Sequence, residues 1–154
     1  MDTDKLRTFL LKANKEGYAS GDNTISRGED FSYVTNFEDG DVRLNDSWFG
    51  GEPFGGREVV FYKGKPYWMM VYYGSDSGKA EGLIPFLRKA LIQPEEEMPI
   101  RGPRKLEEGD FSYENSYRGD VQDFVGEEKI FYKGEEVFKT NYSGGLVNQR
   151  RDQV

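Results

Sequence analysis

Apolar residues recur at helical spacing in two places along the chain. Leu6, Phe9, Leu10 and Ala13 fall at i, i+3, i+4 and i+7, which gathers them on one helix face, and Asp2 or Thr3 precedes them as a cap. Leu83, Phe86, Leu87, Ala90 and Leu91 repeat the pattern. Pro85 falls in the first turn of that run, where a missing N–H does little harm, and Pro94 ends it. Elsewhere the pattern alternates. It predicts strands near 31–37, 42–49, 57–62 and 66–73, then near 111–117, 120–125, 127–132 and 135–142. Asp39-Gly40, Lys63-Gly64, Arg118-Gly119 and Lys133-Gly134 each put glycine where a two-residue hairpin needs positive φ, so neighbouring strands are expected to run antiparallel. Residues 93–109, rich in Pro, Glu, Gly and basic side chains, read as a connector over the surface, and 146–154 as a frayed polar tail.

The chain also repeats itself. Phe31-Ser32-Tyr33 returns as Phe111-Ser112-Tyr113, Gly40-Asp41-Val42 as Gly119-Asp120-Val121, and Phe61-Tyr62-Lys63-Gly64 as Phe131-Tyr132-Lys133-Gly134. Phe54 to Glu58 matches Phe124 to Glu128, and Trp68, Tyr72 and Gly74 match Phe138, Tyr142 and Gly144. The expected fold is therefore α+β: one domain over 1–154, made of two helix-plus-four-strand antiparallel meanders, about 3–74 and 80–145, related by a pseudo-twofold. A closed antiparallel barrel around a helix is the alternative.

If Lys63-Gly64 is the loop, Arg57, Val59, Phe61, Pro66, Trp68, Met70 and Tyr72 share one face of the hairpin. Glu58, Val60, Tyr62, Tyr67, Met69, Val71 and Tyr73 then share the other. Both faces are apolar, which implies a helix on one side and a second sheet or a cavity on the other. Tyr62, Tyr67, Trp68, Met69 and Tyr73 are thus candidate ligand contacts, since methionine adapts its shape and tyrosine offers a hydroxyl on an apolar body. Trp48 and Phe54 join them, because they sit among Gly50, Gly51, Gly55 and Gly56, where backbone can approach a ligand or turn sharply.

Composition narrows the chemistry. With no cysteine and no histidine, disulfides, thiolate nucleophiles, zinc–cysteine sites, imidazole ligands and Ser-His arrangements are excluded. A formal charge of −7 repels a phosphate backbone, so no direct nucleic-acid partner is expected. No membrane partner is expected either, for want of a long apolar run, and the start of the chain lacks a secretory pattern, which points to the cytoplasm. Ten tyrosines are more than a small core needs and suggest a pocket, an interface or cross-strand stacking.

Gly74 to Lys79 resembles a phosphate loop but has three residues between its glycines and Ala80 after the lysine, so Ser75, Asp76 or Ser77 reads better as a helix cap. Glu58 and Glu128 hold matching strand positions and are the only candidate catalytic pair. An ordinary cross-strand pairing of Glu128 with Lys139 competes with that role. No metal and no cofactor are expected, since spacings such as Glu38-Asp39-Gly40-Asp41 do not match a calcium loop.

Gly50-Gly51, Phe54, Gly56 and Glu58, the run Pro66 to Gly74, Arg101-Gly102-Pro103 and Tyr142 to Leu146 together resemble a prokaryotic domain-of-unknown-function family. The resemblance implies a domain that stands alone or follows an XRE-type helix-turn-helix, hence a sensor or ligand-binding role more readily than an enzyme. Three function classes stand. They are a non-catalytic small-molecule-binding module for an apolar or aromatic ligand, a carboxylate-based hydrolase or isomerase, and a protein-interaction or homodimerising domain.

Overall fold

The structure, a computed structural model, describes residues 1–17 and 24–148. The expected tail from 149 onward lies outside the described residues. Helix α1 (Thr3–Glu16) starts where the sequence places it, with the Asp2 carboxylate accepting the Lys5 N–H at 2.8 Å. Helix α2 (Leu83–Leu91) buries the five periodic apolar residues. Among the described residues no helix is long and apolar enough to cross a membrane.

The strands are β1 (Ser26–Arg27), β2 (Tyr33–Asp39), β3 (Val42–Gly50), β4 (Phe54–Tyr62), β5 (Lys65–Asp76), β6 (Lys105–Glu108), β7 (Phe111–Asp120), β8 (Asp123–Tyr132) and β9 (Glu135–Leu146). They form one antiparallel sheet in the order β1-β2-β3-β4-β5-β9-β8-β7-β6. The sheet is open, so the barrel alternative is not realised. Its two ends are strands of two and four residues that do not pair with each other.

Both helices cover one face of the sheet. Leu6, Phe9, Leu10 and Ala13 of α1 pack on Val42, Val60, Trp68, Met70, Phe124 and Tyr142. The apolar stripe of α2 packs on Tyr113, Ile130 and Phe138. The opposite face has no helix on it and is largely open, with Val71 46% and Tyr73 63% exposed, although Val59 is buried there at 7%. The expectation of cover on both sides of the β4–β5 hairpin is thereby corrected; one wet face is the ordinary state of an antiparallel sheet.

The Lys63-Gly64 and Lys133-Gly134 loops form as expected, with φ of 50° and 78° and of 50° and 81°. One step beyond each loop the register slips. Phe61 faces Pro66 but Val60 faces Trp68, and Phe131 faces Glu136 but Ile130 faces Phe138. Pro66 cannot donate to the ladder, so a bulge there costs little. Its effect is large, because a one-residue slip exchanges faces. Glu58 moves to the helix-covered face with Val60, Trp68, Met70 and Tyr72. Likewise Glu128 faces Thr140 rather than Lys139, and Lys139 pairs with Glu127 at 2.8 Å instead.

Other expectations are corrected too. Residues 120–125 and 127–132 merge into β8, and the turn falls at Val121-Gln122 rather than Arg118-Gly119. Gly126 lies mid-strand because a side chain there would meet the Tyr142 ring, 2.6 Å from Cε2. The Asp39-Gly40 turn moves one residue on, since Asp39 pairs with Val42. Phe31-Ser32-Tyr33 leads into β2, whereas Phe111-Ser112-Tyr113 opens β7, the direct neighbour of β8, so those strings do not hold matching places. Ser75 and Asp76 extend β5 against β9, and α2 is capped by Gly82 with no side-chain bond. Finally, 93–109 is not a surface connector. Met98, Ile100 and Gly102 are buried, Arg101 is nearly so, and the end of the segment forms β6.

Candidate functional site

Between α1, α2 and the sheet lies a cavity of about 270 Å³. Leu10 and Ala13 come from α1, Leu87 and Leu91 from α2, and Pro99, Ile100 and Arg101 from the segment after α2. The sheet supplies Thr35, Asp46, Trp48, Phe54, Glu58, Trp68, Tyr72 and Phe138. Exposed Asn36, Gly50, Gly51 and Ile84 lie on its rim. Gly56 opens the floor, since a side chain there would stand 2.6 Å from the Tyr72 hydroxyl and 2.7 Å from Trp48 Cβ.

The polar groups form a row across the strands: Thr35 faces Asp46, Asp46 faces Glu58, and Glu58 faces Met70. The Tyr72 hydroxyl donates to Asp46 at 2.7 Å. Burial pushes the Asp46 carboxyl up to about 6, against the Tyr72 hydrogen bond and the Arg101 charge. Burial, with the charge of Asp46 added, pushes Glu58 to about 8 while Arg101 opposes and Glu128 reinforces. Glu58 lies deep in the molecule yet keeps some open area because it borders the cavity. Among the described residues its side chain has no hydrogen-bond partner. Thr35 is 4% exposed and its hydroxyl is likewise unpartnered.

A second polar set lies beside the first, across the β5–β9 pair, where Tyr72 faces Tyr142. Here Asn115 faces Glu128, and the Tyr142 hydroxyl donates to Asn115 at 2.5 Å. The Glu128 carboxylate accepts from Arg101 Nε at 2.8 Å and from Tyr113 at 2.7 Å, and forms an ion pair with Arg101 Nη2. Gly102 donates its N–H to the Tyr113 hydroxyl at 2.9 Å. Glu128 is fully buried and both its oxygens accept from the protein, so its charge is met within this set.

Of the residues singled out from sequence, Trp48, Phe54, Trp68 and Glu58 border the cavity. Tyr62 and Tyr67 instead pack at the margin of the α1 core, Tyr67 donating to the Met1 carbonyl at 2.7 Å. Met69 is half-buried and Tyr73 is on the solvated face. Asp46, Tyr72, Thr35 and Arg101 were not anticipated as site residues. Asp46 and Tyr72 required the register, and Arg101 required the fold of 93–109; the only sequence signal was its place in Arg101-Gly102-Pro103.

A family model described as "Domain of unknown function (DUF5680)" matches residues 46–147. That span contains Asp46, Glu58, Tyr72, Arg101 and Glu128 and leaves out α1 and Thr35. No curated protein and no solved structure matches the chain.

Proposed function

The chain belongs to the DUF5680 family, and from that premise we propose that it is a small-molecule-binding module of the sensor type. The observation that carries the reading is the cavity between helices and sheet, apolar over most of its wall, with unsatisfied polar groups at its floor. Most buried polar groups in folded proteins are paired. The Thr35 hydroxyl departs from that rule, as does the Thr140 hydroxyl opposite Glu128, and beside the cavity Thr35 falls in one row with Glu58, which has no hydrogen-bond donor among the described residues. A ligand would complete them.

We also read the two halves as copies of one unit, about 3–74 and 80–145. Tyr72–Asp46–Glu58 and Tyr142–Asn115–Glu128 share one arrangement, Gly56 and Gly126 both make room for a tyrosine, and the bulges follow matching loops. In this reading one copy has closed its carboxylate with Arg101 and Tyr113. The other has kept Glu58 open for a ligand.

The test is a thermal-shift screen against small metabolites, since a ligand bound only by the native state raises Tm. At least one compound is expected to raise it with a concentration dependence that saturates, and a screen without any such shift sinks the reading. A second reading, a carboxylate-based isomerase or hydrolase, is favoured by one observation: Asp46 and Glu58 are neighbours held at different values, about 6 and about 8. An isomerase of that kind would exchange ligand C–H hydrogen with D2O; a binding module returns the ligand unlabelled and intact.

A further inference from the structure

We propose that the cavity beside Glu58 takes a small organic cation, an ammonium or amidinium group on an apolar body, with Asp46 and Glu58 facing the charge. The inference rests on the binding-module reading above and names its ligand class. Three carboxyl groups, Asp46, Glu58 and Glu128, share one guanidinium, that of Arg101. Arg101 directs Nε and Nη2 to Glu128. Asp46 has only the neutral Tyr72 hydroxyl, and Glu58 has no donor among the described residues. A buried carboxylate in that position needs a proton or a cation. Without a ligand a proton serves, and a bound cation can take its place.

The second observation is Thr35. It stands across from Asp46 in the same row, is buried, lines the cavity, and has an unpartnered hydroxyl. Thr35, Asp46 and Glu58 thus offer acceptors along one edge of the cavity for the N–H donors of an ammonium or amidinium group. Trp48, Phe54 and Tyr72 add aromatic walls, which attract cations through the ring face. The groups that face Glu58 are Asp46 from β3, Tyr72 from β5, Glu128 from β8 and Arg101 from the segment after α2. The cavity residues of α1 and α2 carry no charge.

Two competing classes fit worse. An anionic head would meet Asp46 and Glu58 at close range, while Arg101 already turns Nε and Nη2 to Glu128. A metal ion lacks ligands, since among the described residues no group of three or more acidic side chains is placed to hold one. Size sets the body. An engineered cavity of about 150 Å³ admits benzene, so 270 Å³ accommodates a ring with a short chain.

Binding exchanges one positive charge for another: the ligand ammonium enters, the Glu58 O–H bond breaks, the carboxylate keeps the electron pair, and the proton leaves to solvent. The test uses three probes of one shape, 2-phenylethylamine, 2-phenylethanol and 3-phenylpropanoate, titrated calorimetrically into the whole chain near pH 7 in buffers of different ionisation enthalpy. The amine is expected to bind about tenfold tighter than the alcohol, the anion weakest, and the amine alone to release most of one proton. Glu58→Gln is expected to lose the proton release and to lower the amine preference, with Asp46 still facing the ammonium. Equal binding of amine and alcohol, a preference for the anion, or an undiminished amine preference and proton release in Glu58→Gln overturns the cation inference and leaves the cavity standing. If none of the three binds the wild type, the inference falls as well; a metabolite that nevertheless raises Tm in the screen would preserve the binding-module reading, and a blank screen would remove it.

Discussion

Glu58 and Glu128 are the same side chain in matching strand settings, and their surroundings give them opposite duties. Glu128 receives Arg101 and Tyr113 and is sealed. Glu58 receives no donor and borders the cavity, so it favours its neutral form. This has a signed consequence for stability. The folded value of about 8 lies above the ordinary 4.5, so between them the native state holds more protons than the unfolded chain. Stability is then complete below the lower value and falls as pH rises to the upper one, by at most about 1.4 kcal/mol per pH unit for this group. Asp46, raised from 3.8 to about 6, acts with the same sign over a lower window. Glu58→Gln removes the first contribution, and urea unfolding at several pH values between about 5 and 8 checks it. The variant should gain on the wild type as pH rises; a constant difference would contradict the assignment.

Among the elements, the helices were the most legible in the sequence, because apolar period and length fix them with no distant information. The loops Lys63-Gly64 and Lys133-Gly134 were equally readable, as their positive φ is a local demand. The bulge after each loop was not. It places Glu58 on the covered face, and only the pairing of β4 with β5 reveals it. Of the residues read as the cavity wall, Tyr62, Tyr67, Met69 and Tyr73 therefore lie away from the cavity, whereas Trp48, Phe54 and Trp68 border it. The segment 93–109 misled for a related reason: its proline, glycine and charge suggest a surface path, yet Arg101 is drawn inward by a buried partner that lies 27 positions later. Arg101→Met leaves Glu128 buried and unpaired, and should destabilise the chain by about 3–5 kcal/mol in urea unfolding. Arg101→Met with Glu128→Gln should recover part of that loss, because the uncompensated charge is then gone. A double variant no better than the single would show that Arg101 acts through packing alone.

For the molecule as a whole, one open sheet carries two helices on a single face, and the space between the helices is where the polar row is left incomplete. The sequence foretold two helices with antiparallel strands. It could not foretell the order β5-β9 at the centre, which sets Tyr72 beside Tyr142 and brings the open and closed polar sets together. Both tryptophans of the chain, Trp48 and Trp68, border the cavity, so intrinsic emission reports on its occupancy. The most direct measurement is therefore a tryptophan-emission titration of the wild type and of Thr35→Phe, whose ring would fill the cavity, using any compound that raises Tm. The expected result is a saturable one-to-one change in the wild type that Thr35→Phe abolishes while its circular dichroism remains native. An emission change that survives in folded Thr35→Phe, or no change with any such compound, would contradict a ligand held between the helices and the sheet.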